Sequence, residues 1–110
     1  MKHRPLVLLL LTTIASGAFA ADTQGRKVYE KWCAPCHAPG PGHPGTQALD
    51  TLYHGTKPGA LEQRKDLTAP FVAMIVRQGV YSMPFFRKTE IDDAELTALT
   101  AYLTRSSATP

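Results

Sequence analysis

The chain has 110 residues, of which 44% are hydrophobic and 19% charged, and its formal net charge is +3. This length holds one small domain and excludes a doubly wound dehydrogenase or a barrel enzyme. Without the first twenty residues, 10 basic side chains face 9 acidic ones. The remaining +1 gives no nucleic-acid footprint and no charge run aimed at a membrane surface.

Residues 1–20 read as a cleaved secretory signal peptide. Lys2, His3 and Arg4 form a basic start, Leu6 to Leu11 an apolar run that extends weakly to Ile14, and Ala18-Phe19-Ala20 a small-x-small cleavage site. The run is too short to span a bilayer, which takes about 20 residues. No stable membrane insertion is therefore expected after cleavage, and the alternative is an uncleaved anchor. Residues 21–110 form the single expected domain. A core this small commonly needs a disulfide, metal or cofactor to complete it.

Asp22 or Thr23 is expected to cap a first helix running to about Lys31. Gly25, Val28, Tyr29 and Trp32 recur along it at three- and four-residue steps and give one apolar face. Trp32 suits the core or the packing around a cofactor.

Cys33-Ala34-Pro35-Cys36-His37 follows directly. C-x-x-C-H is the attachment signature of c-type haem. Two intervening residues let both thiols reach the two vinyl groups of one haem, and the adjacent His37 then becomes the proximal iron ligand. The rival readings are a redox dithiol or tight disulfide, and a zinc site completed by His43 and His54. Export favours haem, because c-type haem is attached outside the cytoplasm.

From Pro35 to Gly59, five prolines alternate with five glycines, which predicts mostly loop. Leu49, Leu52 and Tyr53 are expected to form at most a helical turn. His37 needs a partner for its second ring nitrogen, and the carbonyl of Pro44 is expected to supply it, with Pro41 as second choice. His43 and His54 are expected to be exposed or structural.

Thr68 is expected to cap a helix with Pro70 in its first turn, and Gly79 to end it. Phe71, Val72, Met74, Ile75 and Val76 form its apolar side, with Met74 as a core filler. The loop Gly79 to Phe86 then presents Met83, stiffened by Pro84. Met83 is the expected distal ligand, against Met74, His43 and His54. Methionine–histidine ligation raises a haem potential and closes the iron to chemistry, so the site favours one-electron transfer. No catalytic residue is expected. The last helix has an N-cap at Asp92 and a capping box with Glu95. A hydrophobic staple pairs Ile91 with Leu96, and Leu96, Leu99, Tyr102 and Leu103 share one face. The end after Arg105 is expected to fray.

Taken together, the first helix, Cys33-Ala34-Pro35-Cys36-His37, Met83-Pro84, and Ala94-Glu95-Leu96 through Ala101-Tyr102-Leu103 resemble a class I cytochrome c. The resemblance implies an all-α fold whose N- and C-terminal helices pack together around one covalent haem c. Cys33 and Cys36 match the thioether cysteines, His37 the proximal ligand and Met83 the distal ligand. Gly25 and Tyr29 match the positions where the terminal helices meet, opposite Tyr102.

The stretch from Leu67 to Phe71 and that from Met83 to Ile91 are also similar to the cytochrome subunits of p-cresol methylhydroxylase and eugenol hydroxylase. That resemblance implies a periplasmic electron-transfer subunit, not an enzyme on its own. It would be docked on an FAD-containing oxidoreductase subunit and pass electrons to a downstream acceptor. In that family the flavoprotein oxidises a para-alkylphenol: hydride goes to FAD, and the quinone methide takes up water. The cytochrome then removes the electrons singly. On this reading Phe85 and Phe86 border the partner interface, or one of them packs around the haem, with Arg87 and Lys88 at the rim. The alternative is a free periplasmic shuttle to a terminal oxidase or reductase.

Overall fold

A computed structural model describes residues 16–107. The basic start and the apolar run of the expected signal peptide, and the extreme C-terminus, lie outside the described residues. Among those described, the fold is all-helical: α1 (Ser16–Trp32), α2 (Ala34–His37), α3 (Pro44–Tyr53), α4 (Ala69–Gln78) and α5 (Asp93–Thr104), with a 3-10 turn at Leu61–Gln63.

The terminal helices α1 and α5 cross and pack, as expected. Gly25 makes the crossing possible: a Cβ on it would lie 2.2 Å from the Ala98 carbonyl oxygen and 2.6 Å from Tyr102 Cβ. One turn further along α1, Tyr29 meets Tyr102 with ring centroids 5.7 Å apart. Val28, Tyr29, Leu99 and Tyr102 are buried in one cluster with Val72 and Val76 of α4. Each such aliphatic side chain stabilises the fold by about 1.5–3 kcal/mol relative to exposure. The Tyr102 hydroxyl donates to the Glu62 carboxylate, which ties α5 to the 3-10 turn.

The α5 start matches its sequence signals. Asp92 Oδ1 accepts from Glu95 N at 2.7 Å, and Glu95 Oε2 accepts from Asp92 N at 3.0 Å. Ile91 and Leu96 are both buried, as the staple requires.

Three expectations need correction. Asp22 and Thr23 do not cap α1 but lie inside it, and Thr23 Oγ1 donates back to the Phe19 carbonyl at 2.8 Å. With residues 16–21 still attached, the N–H groups of that turn find carbonyls upstream. The segment after the motif is more helical than its composition implies: α3 spans ten residues. Pro44 sits in its first turn, where a proline costs nothing, and no Gly or Pro interrupts Thr46 to Tyr53. Thr68 occupies the N-cap position of α4, but its side chain makes no capping bond.

The loop between α3 and α4 is closed by charge. Arg64 is only 4% exposed, with its guanidinium 4.7 Å from the Tyr53 ring centroid. It donates to both carboxylate oxygens of Asp66 at 2.5 and 2.7 Å. Lys57 adds a third contact to Asp66 at 3.0 Å.

Candidate functional site

Cys33 closes α1, its N–H bonded to the Tyr29 carbonyl at 2.9 Å, and opens the single turn of α2. The His37 N–H returns to the Cys33 carbonyl at 2.8 Å. One turn of helix thus gathers both cysteines and the histidine. Both thiols are free. Cys33 is buried in the core cluster, and Cys36 is exposed. Burial, with a smaller contribution from Cys36, pushes the Cys33 thiol up to about 12.

His37 is half-buried, and burial lowers its pKa, which favours the neutral imidazole that can act as a ligand. Its Nδ1 is buried with no hydrogen-bond partner, so the expected bond to the Pro44 or Pro41 carbonyl is not formed. Instead the ring backs onto Gly45. A Cβ there would lie 2.6 Å from His37 Cε1 and 2.8 Å from Nδ1. Only glycine leaves room for the imidazole at this point. Three further bonds fix the motif: the Tyr29 hydroxyl donates to the His37 carbonyl at 3.2 Å, and Thr46 Oγ1 to the Ala38 carbonyl at 2.9 Å. His43 Nδ1 lies 3.0 Å from the Pro35 carbonyl.

His43 is therefore a structural neighbour of the motif. His54 is exposed and ends α3 in a left-handed conformation, φ 48°. Among the described residues no three His, Cys, Asp or Glu side chains converge as a metal-binding group, so the zinc arrangement with Cys33 and Cys36 is not assembled.

Met83 lies on the loop after α4. Gly79 ends the helix at φ 69°, and a Cβ on it would lie 2.7 Å from the Met83 carbonyl oxygen. Beyond it, Val80 and Met83 exchange backbone hydrogen bonds of 3.1 and 2.9 Å around the turn Tyr81-Ser82. Tyr81 is left-handed and fully exposed at this turn. Met83 is half-buried. The Phe86 N–H then bonds to the Val76 carbonyl at 2.8 Å, and its ring meets Trp32 edge-on, with centroids 5.7 Å apart. Trp32 directly precedes Cys33, so this contact joins the methionine loop to the cysteine motif. Phe86 is thus the packing member of the aromatic pair, and Phe85 remains 54% exposed.

Met74 is not a core filler: it is 43% exposed. Val72 and Val76 define the buried stripe of α4, and at 100° per residue a side chain two positions from each points away from it.

The family described as cytochrome c oxidase, cbb3-type, subunit III, matches residues 20–103. The chain belongs to this cytochrome c family. It is also 30% identical over 93 residues to the 4-cresol dehydrogenase [hydroxylating] cytochrome c subunit of Pseudomonas putida, a match covering 82% of this chain and 69% of the relative. No solved structure matches it significantly. Membership of the cytochrome c family implies haem c, and the donor set fits that group. The cytochrome has two free thiols and an imidazole on one turn, and the ring's Nδ1 edge is turned into the protein. Among the described residues its Nε2 has no hydrogen-bond partner and is not sealed off. Sequence reasoning missed Gly45 and Arg77. Gly45 was legible only as one more loop glycine, and Arg77 carried no local signal.

Proposed function

We propose that the chain is an exported one-electron carrier that serves as the cytochrome subunit of an FAD-containing para-alkylphenol oxidoreductase. Cys33 and Cys36 hold one haem c through thioethers, His37 Nε2 is the proximal ligand and the Met83 thioether the distal one. The bound haem supplies a reversible one-electron site. The protein's own residues do the rest. Gly45 backs the imidazole, Tyr29 holds the His37 carbonyl, and the turn closed by Val80 fixes Met83. Trp32 and Phe86 pack between the two ligand-bearing segments.

Export is supported by the signal pattern and by the packing. Gly17 and Phe19 to Gln24 are all exposed, so cutting after Ala20 removes no buried side chain among these described residues. No helix among the described residues is long and apolar enough to cross a membrane. The periplasm is the proposed compartment, with a downstream acceptor there.

The observation that carries the partner reading is the 30% identity to a cytochrome subunit of a hydroxylating dehydrogenase. The exposed group Val80, Tyr81 and Phe85 beside Met83 supports it, as an apolar surface suited to a protein contact. The family's description names a terminal oxidase subunit, and this favours a second reading, a shuttle toward such an oxidase.

The test is purification of the tagged cytochrome from its host, followed by addition of a para-alkylphenol. The proposed subunit brings down a yellow flavoprotein and becomes reduced by the phenol. Phe85→Ala weakens that complex more than Lys88→Ala, and the complex survives moderate salt. Lys88 already pairs with Asp93 at 2.6 Å and stands at the rim. A cytochrome that co-purifies with an oxidase and ignores phenols overturns the subunit reading in favour of the shuttle.

A further inference from the structure

The loop that carries Met83 runs from Gly79 to Ile91, between α4 and the cap of α5. Bonds within the loop give it local shape: the Val80–Met83 pair, and Arg87 N–H to Glu90 Oε2 at 2.8 Å. Bonds that cross from the loop to the helices decide where that shape sits.

Arg77, near the end of α4, makes two of these crossings. Its Nη1 donates to the Phe86 carbonyl at 3.1 Å and to the Ile91 carbonyl at 2.8 Å. Its Nη2 donates to Asp93 Oδ1 at 3.0 Å. One guanidinium thus clasps both ends of the limb Phe86–Ile91 and the first turn of α5. The side chain is only 23% exposed, so these charge-assisted bonds are partly shielded from water. Two more crossings are Lys88 Nζ to Asp93 Oδ2 at 2.6 Å and the Phe86 N–H to the Val76 carbonyl, one residue away on α4. Arg77 and Val76 therefore grip Phe86 from both its backbone groups, three residues after Met83.

We propose that Arg77 is the positioning residue for the distal ligand, holding Met83 in place by clasping the limb that follows it. This rests on the reading of Met83 as the distal ligand. The two carbonyls share Nη1 while Nη2 serves the Asp93 carboxylate, and this planar arrangement of donors is one that lysine lacks. Asp93 accepts only the remaining Nη2 bond, and Lys88 shares that carboxylate at 2.6 Å. Without the fork both carbonyls lose their donor, the limb loosens, and the methionine competes less well with an added ligand.

The probe is imidazole, titrated into the exported holo-protein, with the thioether-to-iron absorption band and the reduction potential read alongside. Arg77→Ala is expected to bind imidazole about tenfold more tightly than wild type, equivalent to about 1.4 kcal/mol, with a weakened band. Arg77→Lys should fall between the two. It keeps the charge beside Asp93 and serves as the variant to read if Arg77→Ala does not accumulate. Asp93→Asn should stay near wild type, because the carbonyl bonds remain. Variants at Arg77 with wild-type imidazole affinity, band and potential, and only a lowered melting temperature, would reduce Arg77 to a structural role. An Asp93→Asn variant that behaves like Arg77→Ala would assign the effect to the ion pair and overturn the clasp. Met83→Ala separates the two levels: if it keeps the band, the distal-ligand reading fails and the clasp with it.

Discussion

Gly25→Ala tests the crossing of α1 and α5. By helix propensity alone the change stabilises, since Gly costs roughly 0.5–1 kcal/mol relative to Ala inside a helix. The packing opposes it. The new Cβ would lie 2.2 Å from the Ala98 carbonyl oxygen, 2.6 Å from Tyr102 Cβ and 2.8 Å from the Ala98 carbonyl carbon. Ordinary contacts begin near 3.4 Å. Two of these three atoms are backbone, so no rotamer change relieves the overlap, and α1 must move off α5. That movement opens the buried contacts of Val28, Tyr29, Leu99 and Tyr102. Overpacking of this kind costs about 1–3 kcal/mol, and a rigid backbone places it at the upper end. After the propensity gain the net loss is about 2 kcal/mol, or roughly 8–16 °C in melting temperature for a domain of this size. The assay is thermal unfolding of the holo-protein followed by helical circular dichroism, with Gln24→Ala, exposed on the same helix, as control. A Gly25→Ala protein that melts at or above wild type would refute the close-crossing argument.

Three further substitutions examine other parts of the account. Gly45→Ala forces a Cβ to within 2.6 Å of His37 Cε1, so it should perturb the haem spectrum and lower holo-protein yield. Gly42→Ala meets nothing within 4 Å and should only strain the left-handed backbone, leaving the spectrum unchanged. Asp66→Asn should destabilise by about 1–2 kcal/mol near neutrality, a figure reduced for the half-exposure of the carboxylate. Arg64 foremost, then Lys57, hold the Asp66 carboxyl well below the usual range. A depressed folded pKa gives stability that is present above the unfolded value of about 3.9 and lost as pH falls through the folded one. The gap between wild type and Asp66→Asn in denaturant melts should therefore narrow only below about pH 4, and a gap that closes already at pH 6 would contradict the pairing.

The parts of this fold that the sequence announces are those fixed by neighbouring residues. Asp92 and Glu95 lie three apart and specify the α5 start by themselves, and Gly25 among larger residues on an apolar face marks the crossing. The five-residue haem motif is local too. What stayed hidden depends on partners distant in the chain or on a choice between faces. Phe71 to Val76 is apolar without a break, so periodicity could not tell the buried stripe of Val72 and Val76 from the exposed Met74. In α3, the glycines and prolines at the edges masked an uninterrupted helical stretch between them. Arg77 reaches Ile91 across 14 residues, and Tyr102 reaches Glu62 across 40. No window of sequence contains such pairs.

The central claim is that Cys33 and Cys36 hold haem covalently in an exported chain. Acid-acetone extraction of the purified holo-protein, followed by intact mass, tests it most directly. The expected product is a polypeptide beginning at Ala21 that keeps one haem, while Cys33→Ala and Cys36→Ala each fail to mature normally. A colour that passes quantitatively into the acetone, leaving an unmodified chain with both thiols free, would contradict the account.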